Sequence, residues 1–154
     1  MNFDGLTDAE LDELRTMQKL VTNPQTRWKD KPGQRQRNYI LEGGRYHFEL
    51  YKRQNINDAR DFSCGLAVIK PDGTRLTLCR YNGGSHVHRD IRFRCHIHMA
   101  TAAAMLSDRK AEDHADETSR YRTLDGASFC RVNDCAISGL RDLQADEPDM
   151  FDQN

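Results

Sequence analysis

The stretch Tyr39-Ile40-Leu41-Glu42-Gly43-Gly44-Arg45-Tyr46-His47-Phe48-Glu49-Leu50 decides the fold of this 154-residue chain. Its apolar residues alternate with polar ones, which is the period of a strand with one buried face. The glycine pair between the two runs tolerates the positive φ angles of a tight hairpin turn. A pairing of Glu42 with Arg45 sets Leu41 opposite Tyr46.

A second hairpin is predicted on either side of Pro71-Asp72-Gly73. A three-residue loop sets Val68 opposite Leu76 and Leu66 opposite Leu78, whereas a slip of one residue would set Val68 against Arg75. The same register places Cys64 and Cys79 on opposite faces of the sheet. A fifth strand is predicted from Ile91 to Met99, where apolar residues again alternate with arginines and histidines.

Helical patterns flank these strands. Thr7-Asp8-Ala9-Glu10 is a capping box that begins a helix expected over residues 8–21. A short helix is expected from Ala100 to Leu106 and a last helix from Leu124 to Ala136. The sequence therefore predicts an α+β fold: about five mainly antiparallel strands, with an N-terminal helix and two C-terminal helices covering one face. Residues 1–140 form a single domain in this prediction, and residues 141–154 form an acidic, frayed tail.

Length and composition limit the class of protein. The start of the chain lacks the pattern of a signal peptide, and no stretch approaches the roughly 20 apolar residues that span a bilayer, so a cytoplasmic protein with no membrane partner is expected. The five cysteines are scattered without a C-x-x-C pair, which favours buried reduced thiols.

Residues 45–99 carry ten basic and five acidic side chains, whereas residues 100–154 carry six and twelve. A basic middle segment favours a surface that faces a polyanion, although ordinary solvated charge gives the same count.

The segment Ser85–His98 holds four of the six histidines and three arginines. Strand alternation predicts that His96 and His98 share a solvent-accessible face with arginines and tyrosines of neighbouring strands. We expect Glu49 on that face as well, together with Arg53, Arg75, Tyr81, Arg92 and Arg94. His86 and His88 are expected in a glycine-flanked loop beside it.

These residue types match the needs of metal-independent RNA cleavage. A base must take the proton of the 2′-hydroxyl group, an acid must protonate the leaving oxygen, and cations must stabilise the charge on phosphorus. Histidine titrates near neutral pH, and arginine binds phosphate oxygens in a bidentate manner. We therefore predict catalytic roles for His96, His98 and Glu49, and ligand binding by the four arginines, Tyr81, His86 and His88.

Other functions remain compatible with the same residues. The sequence fits a small toxin-like ribonuclease that needs no cofactor, but it also fits a non-catalytic interaction protein, such as an antitoxin or a phage-encoded inhibitor with a protein partner. A histidine-ligated metal site is a further alternative, because the two histidines of an H-x-H strand lie on one face about 6 to 7 Å apart. No metal ion is predicted, since the two H-x-H pairs lie about 17 Å apart along an extended chain unless it folds back at Arg89-Asp90.

Several strings of the sequence resemble a family of short bacterial proteins of unknown function. They are Phe62-Ser63-Cys64-Gly65-Leu66, Leu76-Thr77-Leu78-Cys79-Arg80-Tyr81-Asn82-Gly83, His96-Ile97-His98-Met99-Ala100-Thr101 and Asn133-Asp134-Cys135-Ala136-Ile137-Ser138-Gly139. The resemblance runs from about Leu6 to Leu140. It implies one compact domain and carries no activity.

Overall fold

The computed structural model describes residues 1–140, so the predicted acidic tail lies outside the described residues. Fourteen elements follow one another along the chain: α1 (Asp8–Thr16), β1 (Lys19–Val21), β2 (Lys29–Lys31), β3 (Gln34–Gly43), β4 (Tyr46–Asn55), β5 (Phe62–Ile69), β6 (Arg75–Asn82), β7 (Val87–His88), β8 (Ile91–Arg92), β9 (His96–Met99), α2 (Ala102–Leu106), β10 (His114–Glu117), α3 (Leu124–Asp134) and β11 (Ile137–Ser138).

Nine of the strands form one sheet in the order β10-β9-β6-β5-β4-β3-β1-β11, with β2 paired to β3 beside this path. The pairs are antiparallel except for β1 with β11, and β7 with β8 forms a separate two-stranded hairpin. The predicted α+β class and the mainly antiparallel sheet are confirmed. The predicted number of five strands is wrong, because four short segments, β1, β2, β10 and β11, join the sheet through backbone hydrogen bonds and are too short to be predicted from apolar alternation.

The first helix begins where the sequence predicts and ends earlier. Thr7 and Glu10 form the capping box, since the Glu10 amide donates to Thr7 Oγ1 and the Thr7 amide donates to Glu10 Oε1. The helix stops at Thr16 instead of residue 21, because Lys19 and Val21 turn inward while Leu20 between them is 54% exposed. This alternation is that of a strand, and it forms β1.

The hydrophobic core lies between one face of the sheet and the helices α1 and α3. Leu11 and Leu14 of α1 and Leu124, Ala127 and Val132 of α3 pack in the same cluster as the inward residues of the strands. The predicted third covering helix forms as α2, but only its Ala104 is buried and Leu106 is 83% exposed. It connects β9 to β10 instead of covering the sheet. None of the helices within residues 1–140 is long and apolar enough to cross a membrane.

Strand registers differ from the prediction at two places. In the β3–β4 hairpin Leu41 pairs with Phe48, so the turn residues are Gly44 and Arg45, and Gly44 has the positive φ of 57° that the turn requires. In the β5–β6 hairpin Val68 pairs with Leu76 as predicted, but a β-bulge follows and Leu66 pairs with Cys79.

The bulge exchanges the faces that the rest of β6 presents. An additional residue on one strand reverses the inward and outward alternation beyond it. Cys79 and Tyr81 are therefore buried in the core, and Arg80 and Asn82 lie on the opposite face. The prediction that Cys64 and Cys79 lie on opposite faces is wrong for the same reason.

The face opposite the core carries a row of polar side chains across the sheet. Directly paired residues share a face of an antiparallel sheet. The register places Lys29 beside Gln36, Gln36 beside Arg53, Arg53 beside Ser63, Ser63 beside Asn82 and Asn82 beside His96. We call this side of the sheet the polar face.

Candidate functional site: a histidine and arginine cavity

Four histidines, namely His86, His88, His96 and His98, line one cavity of about 150 Å³ on the polar face. The chain reverses between β7 and β8 at Arg89, whose φ is 55°, and this hairpin brings His88 back over β9. The ring centroid of His88 lies 5.8 Å from that of His96 and 4.7 Å from that of His98, and the last two are 5.0 Å apart. The chain thus folds back at Arg89-Asp90, which was the condition for the two H-x-H pairs to approach each other.

His96 and His98 are held by backbone carbonyl groups. The Nδ1 atom of His96 lies 3.0 Å from the oxygen of Arg94, and Nδ1 of His98 lies 2.9 Å from the oxygen of Glu112. A carbonyl oxygen only accepts, so each Nδ1 carries the hydrogen and each Nε2 of the neutral ring carries a lone pair. Asn82 Nδ2 lies 3.5 Å from Nε2 of His96, whereas Nε2 of His98 forms no hydrogen bond within residues 1–140.

Burial keeps both rings neutral at pH 7. The side chains are only 3% exposed. Burial lowers the pKa of His96, and burial together with the positive charge of Arg80 lowers the pKa of His98 to about 4. Desolvation disfavours the charged imidazolium, and a neighbouring guanidinium adds repulsion. His98 therefore has an unprotonated Nε2 at neutral pH.

Arg80 lies beside His98 on the neighbouring strand and is positioned by the same residue. The two are directly paired across β6 and β9, and Glu112 accepts from both: its backbone oxygen from His98, and its carboxylate from Arg80 Nη1 at 3.4 Å. Two buried polar atoms of this cluster, Arg80 Nε and His88 Nε2, have no hydrogen-bond partner among the described residues. Buried polar atoms are normally paired, so these two atoms are free to bind a ligand.

Arg53, Asp61 and His86 form the other end of the cavity. Asp61 lies between the two basic side chains, 3.9 Å from Arg53 Nη1 and 3.4 Å from His86 Nε2. His86 is largely exposed at the cavity mouth, whereas Asp61 is mostly buried. The carboxylate therefore orients a cation and an imidazole toward the same opening.

A second cavity, of about 460 Å³, adjoins the first. Arg80, His88 and His98 line both cavities, and the second is completed by Arg89, Arg109, Lys110, Glu112 and Asp113. Asp113 binds Arg89 at 2.5 Å and Arg109 at 3.2 Å, which attaches the turn of the β7–β8 hairpin to the segment before β10. The side chains of Arg80, His88 and His98 therefore form a wall that the two cavities share.

The structure brings together half of the predicted site. Arg53, His86, His88, His96 and His98 line the cavity. The other predicted residues lie elsewhere: Glu49 forms an ion pair with Arg75 at 2.7 Å, Tyr81 is buried in the core, and Arg92 and Arg94 are exposed on and beside β8. Arg94 contacts Glu117 at 3.5 Å on the outer surface.

The prediction that His96 and His98 lie on a solvent-accessible face with Arg92 and Arg94 is wrong. The strand breaks at Phe93, which has a φ of 52°, so β8 and β9 are separate and belong to different sheets. The segment 83–95, which contains β7 and β8 and is called the flap here, packs against the polar face and buries both histidines. The side chains that line the cavity are mainly polar, with Phe62 and Val87 as the apolar exceptions, so the candidate site is retained in a covered form.

Arg80, Asn82, Asp61 and Glu112 are cavity or near-cavity residues that the sequence patterns do not identify. Arg80 and Asn82 are displaced onto the polar face by the bulge. Leu78 is the additional residue of the bulge, and both it and the adjacent Cys79 are fully buried. Asp61 and Glu112 lie outside the predicted strands, where no local pattern singles them out.

Within residues 1–140, no group of three or more His, Cys, Asp or Glu side chains has an arrangement that could hold a metal ion. The cavity offers neutral imidazoles and guanidinium groups, and the latter attract anions. Comparison of the chain with protein-family models, with curated proteins and with solved structures finds no match. The resemblance to a family of short bacterial proteins stays a prediction, and the function must be argued from the cavity itself.

Proposed function

We propose that the cavity binds a ribose and its adjacent phosphate in RNA and cleaves the phosphodiester bond without a metal ion. One observation carries the proposal: the cavity wall combines an imidazole acceptor with a guanidinium donor, and a second imidazole nitrogen beside them is unpaired. His98 Nε2 has a free lone pair, while Arg80 Nε and His88 Nε2 are buried without partners among the described residues. The oxygens of an ionised phosphodiester only accept hydrogen bonds, so a phosphodiester group alone does not satisfy His98. A hydroxyl group next to a phosphate satisfies both sides.

The size of the cavity agrees with this ligand. About 150 Å³ is smaller than the roughly 300 Å³ at the lower end of sites for drug-sized molecules. A phosphate group with part of a ribose is of suitable size, and a nucleobase would extend into the adjoining larger cavity or into solvent.

The chemistry follows from the positions of the titratable groups. His98 Nε2 takes the proton of the 2′-hydroxyl group, and the 2′-oxygen forms a bond to phosphorus as the bond from phosphorus to the 5′-oxygen breaks. Arg80 and Arg53 stabilise the negative charge on the phosphate oxygens. The departing 5′-oxygen receives a proton from His86 in its protonated form, which Asp61 orients. The products are a 2′,3′-cyclic phosphate and a free 5′-hydroxyl group.

The test uses two substitutions that separate the two roles of the His98 ring, namely the hydrogen bond to the Glu112 oxygen and the free nitrogen in the cavity. His98→Asn keeps a donor for the Glu112 oxygen and removes the cavity nitrogen, while His98→Gln keeps a polar atom near Nε2 and loses the bond to Glu112. With total RNA or an oligouridylate at pH 6 to 8, the wild type should cleave. His98→Asn should reduce the rate at least 100-fold, the usual contribution of a general base.

Control measurements distinguish loss of catalysis from unfolding, from a metal-dependent activity and from a non-catalytic binding function. The folded fraction of His98→Asn is measured by urea unfolding and the rate is expressed per folded molecule, because truncation of a side chain that is only 3% exposed also lowers stability. A chelator in a parallel reaction should leave the wild-type rate unchanged, and loss of cleavage with chelator would favour the histidine-ligated metal alternative. Intact RNA in every reaction, with no binding at low salt, would reject the proposal and favour the non-catalytic interaction protein.

A further inference from the structure

A second group of cations lies on the polar face, at the far side of the sheet from the histidines. Thr26, Arg27, Lys29, Lys31, Gln36 and Asn38 line a cavity of about 170 Å³ on β2, β3 and the segment before them. All six side chains are polar, three are cationic and none is acidic. Arg27, Lys29 and Lys31 are exposed and form no ion pair with any described residue. We call residues 26–38 the basic ribbon.

The two sides of the basic ribbon differ. Arg35 lies 4.2 Å from the centre of the Trp28 ring, and Arg37 lies 5.0 Å from that of Tyr39, a core residue. Asp30, which pairs directly with Arg35, faces the same side. Because successive residues of a strand face opposite sides, Lys29 and Lys31 carry their charge on the polar face, away from the Asp30 carboxylate.

The basic ribbon and the histidine cavity are joined by one row of side chains. The row passes from Lys29 through Gln36, Arg53, Ser63 and Asn82 to His96, across five strand spacings. At about 4.8 Å between neighbouring strands this distance is about 24 Å, long enough for several nucleotides of an extended single strand. Arg53 belongs to the row and to the histidine cavity, so positive charge occurs at the Lys29 end and in the middle of the row, and Arg80 adds a cation in the cavity at the other end.

We propose that the basic ribbon binds the phosphate backbone of the single-stranded RNA that continues from the histidine cavity. This inference rests on the proposed function, because it extends the same substrate along the same face. Charge complementarity favours phosphates, and the residues that line the cavity on the ribbon offer hydrogen-bond donors and are all polar. The ribbon therefore adds affinity for longer strands without selecting their sequence.

The experiment compares two double variants with equal loss of charge. Lys29→Gln with Lys31→Gln removes two of the three cations that line the cavity on the ribbon, and Arg45→Gln with Arg122→Gln removes two exposed cations outside it. The probe is a 2′-O-methyl oligouridylate of about 12 nucleotides, which resists cleavage and spans the row. Its binding is measured by fluorescence anisotropy at several salt concentrations, and cleavage of uridylyl-uridine is measured separately.

The ribbon variant should bind the long probe about tenfold more weakly at low salt. Its plot of log affinity against log salt concentration should be shallower by about 1.4, the value for two lost phosphate contacts in a single strand. Cleavage of the dinucleotide should remain within twofold, because two nucleotides do not reach the ribbon. The Arg45 and Arg122 control should match the wild type within twofold.

The outcomes separate this inference from the proposed function. Equal affinity of the ribbon variant and the wild type, or an equal loss in the control, overturns the ribbon proposal and leaves the cavity proposal intact. If the ribbon variant loses affinity but His98→Asn still cleaves at the wild-type rate, the catalytic proposal fails alone. Displacement of the probe by polyglutamate at the same charge concentration overturns the assignment to a phosphate backbone.

Discussion

Lys19 and His98 are equally buried basic groups, 2% and 3% exposed, but their surroundings leave them with different capacities to bind a ligand. Lys19 lies on the core side of the sheet, where its ammonium donates to the oxygens of Arg15, Met17 and Cys135 at 2.7 to 2.9 Å. Three donors therefore have three acceptors. His98 lies on the polar face with one nitrogen bonded to a backbone oxygen and the other facing a cavity.

The difference follows from where the carbonyl groups come from. Met17 and Cys135 are the C-cap residues of α1 and α3, so Lys19 binds carbonyl groups that the two helix ends leave unpaired. All the hydrogen-bond donors of its ammonium group are therefore paired within the fold. His98 bonds instead to the single backbone oxygen of Glu112, and its second nitrogen stays available. A buried titratable group thus indicates a functional site only when some of its bonding capacity remains unused.

The largest expected effect is on stability and concerns Lys19. Lys19→Met removes the ammonium and leaves three buried carbonyl groups without a donor, so the free energy of unfolding should fall by about 3 kcal/mol or more. Urea unfolding measures it, and RNA cleavage per folded molecule should not change. Lys29→Met, at an exposed lysine, is the matched control with an expected change below about 0.5 kcal/mol. A loss below about 1 kcal/mol for Lys19→Met would contradict the comparison.

The next effect is a dependence of stability on pH in two separate windows. Burial lowers the pKa of Lys19 to about 8, and burial with Arg80 lowers that of His98 to about 4. In both cases the unfolded chain binds the proton more tightly, so stability rises with pH between the folded and unfolded pKa values. We expect an increase of up to about 3 kcal/mol from about pH 4 to 6.5 through His98, and a similar increase from about pH 8 to 10.5 through Lys19.

Two variants test which side chain causes the pH dependence of stability in each window. His98→Asn should flatten the acidic window and leave the alkaline one, and Lys19→Met should do the reverse. Urea unfolding at half-unit steps of pH gives both curves. An unchanged acidic slope in His98→Asn would mean that other groups account for the acid sensitivity.

The smallest expected effect concerns the outer surface of the flap. Arg94 is 72% exposed and forms an ion pair with Glu117, so Arg94→Ala should change the free energy of unfolding by less than about 0.5 kcal/mol. RNA binding and cleavage should stay within twofold of the wild type. Arg80→Gln, which changes the cavity arginine, should weaken both at least tenfold. If Arg94→Ala weakens RNA binding as strongly as Arg80→Gln, the outer face of the flap belongs to the binding surface.

The sequence predicts well those features that depend on alternation within one strand. The inward side chains of β3, β4 and β5 and the capping box at Thr7 follow from residue patterns. Local pattern fails where the backbone changes its periodicity. The bulge beside Leu78 reverses the faces of the residues beyond it, and the break at Phe93 places β8 and β9 in different sheets; neither position contains a glycine or a proline.

Local residue patterns do not predict the edge strands or the burial of the candidate site. β2 and β10 have mostly polar residues and form because their backbone groups complete the hydrogen bonding of β3 and β9. The flap buries His96 and His98 through contacts with His88, a residue from the segment that the sequence predicts as a loop beside the site. Contacts of this kind depend on tertiary packing, so they cannot be predicted from the spacing of residues in the sequence.

The β-bulge in β6 makes the histidine cavity depend on a residue count as well as on residue types. Deleting Leu78, the additional residue, would remove the bulge and leave Cys79 opposite Leu66, so Arg80 and Asn82 would stay on the polar face. Deleting both Thr77 and Leu78 would instead set Arg80 opposite Leu66, turn Arg80 and Asn82 toward the core and present Tyr81 to the cavity, although every side chain of the site would still be present in the chain. The faces on which the site residues lie therefore depend on the length of this strand. Whether an insertion or deletion here keeps those faces depends on whether the number of residues is odd or even.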